Sequence, residues 1–169
     1  MKKVIIIGCP GSGKSTFAKA LHEITGIPLF HLDMMYWNAD RTTVEKAVFL
    51  ERLCDAMQKD EWIIDGNYGS TMELRLEKCD TVFFLDLPTE LCLDGIMRRS
   101  GKARSDMPWI EENVDPEFVE FVKSYNVENR PKVLELMGKY HEKNIIVFKS
   151  REESDDFLEK LKLSKRPDL

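Results

Sequence analysis

Histidine is scarce in this sequence, with three residues, and the four cysteines include no C-x-x-C pair. Neither set falls at zinc-site spacing, so a metal–thiolate centre is not expected. Cys9, Cys54, Cys79 and Cys92 are too scattered to form a disulfide framework. Four free thiols point to a reducing, cytoplasmic setting. Long apolar runs are also lacking. MKKVIIIGCPG carries two lysines ahead of an apolar stretch, as a secretory leader would, but the stretch is only Val4 to Ile7. That is too short for a leader core or a membrane span, so no membrane partner is expected.

Positive charge is in deficit: Lys plus Arg number 25 against 30 Asp plus Glu, a net charge of −5. A broad surface for nucleic acid or anionic lipid is therefore not expected, although a local basic pocket for a phosphate is compatible with this balance. No repeat, low-complexity tract or linker interrupts the 169 residues, which fit a single domain over 1–169. With 43% apolar and 33% charged residues, the chain can bury a core without disulfide or metal staples. The oligomeric state is left open.

What is present is an alternation of short apolar runs with helical patterns. Val4 to Ile7, Pro28 to Leu32, Trp62 to Ile64, Thr81 to Leu87 and Ile145 to Phe148 read as buried strands. Helical spacing follows from about Ser15 to the stop at Gly26, and again after a Thr42–Thr43 cap through Met57. Further helices are predicted around Met72 to Leu76, from Pro88 to near Gly101, and from Glu117 to about Tyr140 with a break at Pro131. The last runs through Phe157 to Leu161, and Ser164 to Leu169 is expected to fray. Residues 101–115 are irregular. Five solid strands alternating with helices specify an α/β fold with a parallel sheet covered on both faces. Ligands in such sheets sit at the carboxyl ends of the strands.

Gly8-Cys9-Pro10-Gly11-Ser12-Gly13-Lys14-Ser15 matches G-x-x-x-x-G-K-[ST] without a gap. The glycines let successive backbone N–H groups turn toward one phosphate, and the following helix aims its N-terminus at the same anion. Gly8, Pro10, Gly11, Ser12, Gly13, Lys14, Ser15 and Thr16 form the expected ATP-binding set. Lys14 is expected to reach the β- and γ-phosphates, and Ser15 to hold Mg2+.

A phosphoryl transfer also needs a metal anchor, a positioned acceptor and cations over the migrating group. Asp65, ending the third strand, is the second candidate for Mg2+; a turn aspartate before Gly66 is the other reading. Asp33, ending the second strand, can orient or deprotonate an acceptor hydroxyl, or simply serve as a helix-start or turn aspartate. Asp86 is third in line. Arg98, Arg99, Lys102 and Arg104 crowd into seven residues. A helix C-terminus attracts cations, which accounts for Arg98 and Arg99 but less well for Arg104 beyond Gly101. A mobile loop closing arginines over the phosphoryl group accounts for all of them. Arg41, Arg75 and Arg130 stand alone. Met34, Met35, Tyr36 and Trp37 form either a substrate wall or ordinary core.

Together, GCPGSGKSTFAKAL, Asp33, WIIDGNY, DTVFFLDLP and the Arg98–Arg104 cluster resemble the adenylate kinase-like P-loop kinases. Within them, the resemblance is to the branch known as DNA topology modulation proteins, small bacterial proteins of this length. It implies a P-loop NTPase three-layer α/β/α sandwich, a parallel sheet in 2-3-1-4-5 order and a short helical lid over about 98–115. It also implies transfer of the ATP γ-phosphate, with Mg2+, to a small acceptor bound by a segment over about 33–59. Carried over by position, Lys14, Asp33, Arg98 and Arg104 are catalytic, with Arg98 also touching ATP. Asp33, Arg41 and Arg75 face the acceptor, and Ser15 and Asp65 serve the metal.

Asp65 falls where nucleotide kinases have the aspartate of D-G-F-P-R, but this chain reads Asp65-Gly66-Asn67-Tyr68-Gly69 and lacks that arginine. The threonine-glycine-aspartate pattern that receives AMP is missing too, and Asp33 resembles the strand-end aspartate of shikimate- and gluconate-type kinases. The acceptor is thus a nucleotide or a hydroxylated metabolite. The competing function is an ATP-binding or ATP-hydrolysing switch without a small-molecule acceptor.

Overall fold

Val4, Ile5, Ile6 and Ile7 are wholly buried in the computed structural model, because side chains alternate across a strand and both faces of this one are covered. They belong to β1 (Lys3–Gly8), the middle of a five-stranded sheet of order β2-β3-β1-β4-β5. Its partners are β2 (Leu29–His31), β3 (Trp62–Asp65), β4 (Thr81–Leu85) and β5 (Asn144–Phe148). Every pairing is parallel. The structure describes residues 1–165; the chain end expected to fray lies largely outside the described residues.

Val4 and Ile6 face one core, shared with α1 (Lys14–Thr25), α5 (Thr89–Arg99), α6 (Pro116–Glu128) and α8 (Arg151–Ser164). Ile5 and Ile7 face the other, filled by α3 (Lys46–Met57), α4 (Gly69–Lys78) and α7 (Arg130–Lys139). Two helical layers enclosing an all-parallel sheet in this order make the P-loop NTPase α/β fold. Among the described residues, no helix is long and apolar enough to cross a membrane.

Several local expectations shift. Asp33 is not at a strand end: β2 stops at His31, and Asp33 lies in the first turn of a five-residue helix, α2 (Leu32–Tyr36). Thr42 and Thr43 do not cap α3, which begins after Glu45. The Thr42 hydroxyl instead donates to Asp40 Oδ1 at 2.6 Å, and Thr43 bridges to Trp37. The helix break precedes Pro131, between Glu128 and Arg130, because proline fits the first turn of a helix and not its interior. Residues 100–115 contain turns and no helix, so the helical character expected of the lid belongs to its flanks, α5 and α6. This loop is tied across its base, where Gly101 N donates to the Glu111 carbonyl at 2.8 Å.

Candidate functional site

β1 delivers the chain to Gly8, and the next six residues wrap into the start of α1. Ser12 N donates to the Cys9 carbonyl at 3.1 Å, and Gly13, at φ 100°, precedes α1 with no side chain capping its first N–H groups. Those donors and the helix dipole are left to an anion. Lys14 Nζ donates to the Cys9 carbonyl at 3.0 Å, which folds its stem over the loop. Burial pulls the Lys14 ammonium below its ordinary value, while Asp65 opposes that shift most strongly. Ser12 Oγ is buried without a partner.

The loop is braced from two directions. Gly11, at φ 83°, lies so close to α5 that a Cβ on it would come 2.0 Å from the Cys92 carbonyl oxygen. On the other side Asn67 clamps the peptide at Gly8, accepting from Gly8 N at 3.0 Å and donating to Gly8 O at 2.6 Å. Asn67 is itself held by Arg75. The Arg75 guanidinium is fully buried and donates to the carbonyls of Gly66, Asn67 and Tyr68, with the Gly66 bond at 2.8 Å. Burial brings its pKa down to about 10. Expected at the acceptor, Arg75 instead lies beneath the loop 66–68, because its donors are taken by backbone carbonyls there.

Parallel register sets Asp65 level with His31 and Ile6 at the carboxyl ends of their strands. Asp65 Oδ1 lies 3.1 Å from His31 Nδ1, and Oδ2 is buried with no partner. Asp33 Oδ1 accepts from the Tyr68 hydroxyl at 2.6 Å. Burial raises the Asp33 pKa; the Tyr68 hydrogen bond opposes this and the Asp65 charge adds to it.

Two clefts meet at this point. One, of about 470 Å³, is lined by Gly11, Gly13, Lys14, Ser15 and Thr16 with Lys19, Arg99 and Arg104. Glu111 lies 3.7 Å from Arg99 Nε and from Arg104 Nη2, and the one carboxylate in the lining itself is Asp106. That carboxylate lies 3.8 Å from Lys19 Nζ and 3.7 Å from Arg104 Nε. Burial alone would raise the Asp106 pKa, but Arg104, the Ser15 hydroxyl and Lys19 together hold it low. The second cleft, of about 640 Å³, is shared between Asp33, Asp65, Tyr68, Trp37 and Arg41 on one side and the lid segment on the other. Pro10, Lys14, Ser15 and Arg99 line it too. Trp37 meets Trp109 of the lid edge-to-face, with ring centroids 5.3 Å apart.

Of the other expected residues, Arg98 lines neither cleft. It is exposed and pairs with Asp94 one helical turn back at 2.8 Å. One residue further along α5, about 100° around the helix, Arg99 points inward and lies 5.4 Å from the Phe118 ring. Asp86 is likewise absent from both linings. Arg130 Nε donates to its Oδ1 at 2.7 Å and Lys149 donates to Oδ2. Arg99 is read in the sequence as one of the clustered arginines without a site role of its own, whereas Asn67, Tyr68, Gly95 and Asp106 are not singled out there. Helical phase alone distinguishes Arg99 from Arg98; the other four carry no local signal, because their roles depend on contacts distant in sequence.

No protein-family model matches the chain. It is 30% identical over 109 residues to the adenylate kinase of Thermotoga maritima, a match covering 60% of this chain and 49% of that protein. With the adenylate kinase of Thermotoga petrophila it shares 32% identity over 88 residues, covering 51% of this chain and 39% of the relative. The Thermotoga neapolitana adenylate kinase is 31% identical over the same length. The chain thus spans about half or less of the curated relatives it matches. Beside the P-loop NTPase α/β fold and the Gly8–Ser15 motif, these partial likenesses make the chain similar to adenylate kinases over part of their length.

Proposed function

We propose that the protein is an ATP-dependent phosphotransferase that passes the γ-phosphoryl group to a small acceptor held near Asp33. The observation that carries this reading is the meeting of a cation-lined phosphate cleft with a second cleft containing a buried carboxylate. A nucleotide switch has no use for the second. The triphosphate lies along the Gly8–Thr16 loop, with Lys14 on its β- and γ-phosphates. Arg99 and Arg104 balance charge on the migrating group, so the role expected of Arg98 passes to Arg99.

The acceptor hydroxyl donates to Asp33 Oδ2, since only Oδ1 is engaged by Tyr68. As its oxygen bonds to the γ-phosphorus and the bond to the β-phosphate oxygen breaks, its proton moves to Asp33 and ADP leaves. A raised pKa makes Asp33 a stronger base than an exposed aspartate. Ser15 and Asp65 would hold Mg2+, and the unpartnered Asp65 Oδ2 fits that duty. Among the described residues no three His, Cys, Asp or Glu side chains form a metal site by themselves, so the phosphates would complete the coordination. Bound there, the ion would neutralise phosphate charge. The narrower likeness to DNA topology modulation proteins rests on sequence segments alone and adds no activity.

The test is ADP release from Mg–ATP with and without a panel of candidate acceptors. Acceptor-stimulated release with a phosphorylated product is expected. Release that no acceptor raises above the rate in water identifies a switch or slow ATPase instead.

A further inference from the structure

The two clefts differ sharply in charge, and that difference bears on what the second one admits. The phosphate cleft is lined by Lys14, Lys19, Arg99 and Arg104 with Asp106. Six carboxylates line the other: Asp33, Asp65, Asp106, Glu111, Glu112 and Asp115. Glu111 pairs with Arg99 and Arg104 at 3.7 Å, which leaves Asp33, Asp65, Glu112 and Asp115 as the carboxylates of that cleft not held by these cations. Its cations are Lys14, Arg99 and Arg41, and the first two are shared with the phosphate cleft.

Arg41 is therefore the single cation there that the triphosphate does not claim, among the described residues. It is exposed, at a left-handed φ of 68°, where water screens its charge. Arg75 is wholly buried with its donors on four backbone carbonyls. A phosphate dianion entering this cleft would meet a surplus of negative charge and no buried guanidinium fork to offset its desolvation.

The walls favour something flat and apolar instead. Trp109 of the lid segment touches Trp37 edge-to-face, and both line the cleft together with Tyr68 and Phe118. Such faces stack planar rings and leave hydroxyl groups to the few polar atoms present. One of those atoms is the unengaged oxygen of Asp33.

We infer that the acceptor is an uncharged compound with a planar ring and an alcohol group, of the nucleoside type, and not a nucleoside monophosphate. This rests on the phosphotransferase reading. The transfer converts the alcohol to its phosphate monoester, with the alcohol proton passing to Asp33 and ADP as the leaving group. The dianionic product is then expelled by the same carboxylates that tolerate the neutral substrate.

Matched pairs provide the test. Adenosine, guanosine, cytidine, uridine and a hydroxymethylpyridine are compared with the four ribonucleoside 5′-monophosphates and with sorbitol, each added to protein and Mg–ATP. ADP release and the phosphoester product are measured for each. A ring-bearing neutral alcohol that is phosphorylated at least about tenfold more efficiently, as kcat/KM, than any monophosphate supports the inference. A monophosphate as the better acceptor overturns it while sparing the kinase reading, and so does preference for ringless sorbitol. No stimulation by any compound, with ATP binding intact by calorimetry, removes both. Trp37→Leu adds a second readout. It should raise the acceptor KM by about tenfold with the ATP KM unchanged, and an unaltered acceptor KM overturns the stacking assignment.

Discussion

Gly95 of α5 lies against Gly11 of the phosphate loop so closely that a Cβ on Gly95 would come 2.0 Å from the Gly11 carbonyl oxygen. Glycine in mid-helix weakens the helix, so the close approach is what this position gains in exchange. Since α5 also carries Arg99 and leads into the lid segment, the contact couples the loop that receives phosphate to the element that covers it.

Gly95→Ala should therefore push backbone against backbone. The expected outcome is a loss of about 1–3 kcal/mol in stability, as for overpacked interiors, together with weaker ATP binding. Chemical denaturation and calorimetry measure the two effects. Unchanged ATP affinity would show that the loop does not depend on this support.

Lys14→Ala should reduce phosphoryl transfer by more than about 100-fold, because the cation on the β- and γ-phosphates is lost. Arg104→Ala should reduce kcat by a similar order, yet change the ATP dissociation constant by less than about threefold, if Arg104 acts on the transition state. Equal losses in both quantities would make it a ground-state ligand.

Asp33→Asn should leave ATP binding intact and remove transfer, since an amide cannot take the acceptor proton. Stability should move the other way. The folded protein holds the Asp33 proton more tightly than the unfolded chain does, so this group costs stability once it ionises. The cost grows as pH rises from the ordinary value of 3.8 toward the raised folded value and persists above it. The variant should melt higher than wild type at neutral pH, and the gap should close in acid.

Arg75→Met should destabilise the protein by on the order of 3 kcal/mol, because it strands the half-buried Gly66 and Asn67 carbonyls, while the Tyr68 carbonyl keeps its bonds from Thr71. Asn67 and Tyr68 would lose their placement with it, so both ATP affinity and transfer should fall. A variant that is stable yet altered only in acceptor KM would return Arg75 to the acceptor.

Asp86 should act opposite to Asp33 in acid. Burial works against its ionisation, but Arg130 and Lys149 win, and its pKa lies below the ordinary 3.8. The stability it contributes is complete above that value and is lost as pH falls through the lowered one. Asp86→Asn should lower the melting temperature at neutral pH without raising the KM for ATP or acceptor.

Much of the architecture was legible because it is written in local periodicity. Val4 to Ile7 is apolar on both faces and can only be a strand covered on both, and Gly8 to Ser15 carries its phosphate chemistry in contiguous residues. Candidate site residues far from the loop were harder to read. Arg98 and Arg99 are chemically equivalent in the sequence, and only the rotation of α5 turns one to solvent and the other to the cleft. Arg75 offered the right charge on the right helix, but it is engaged by carbonyls from a loop nine residues and fewer behind it.

The sequence by itself determined a parallel α/β sheet, a G-x-x-x-x-G-K-S loop from Gly8 to Ser15 between a strand and a helix, and an acidic chain of net charge −5. Those follow from apolar runs, contiguous glycines and composition, each a property of neighbours along the chain. The tertiary structure alone decided which cations face which cleft, that Tyr68 holds Asp33, and that Asn67 and Gly95 brace the phosphate loop from opposite sides. These are long-range contacts, set by strand register and helix rotation, and no local pattern encodes either.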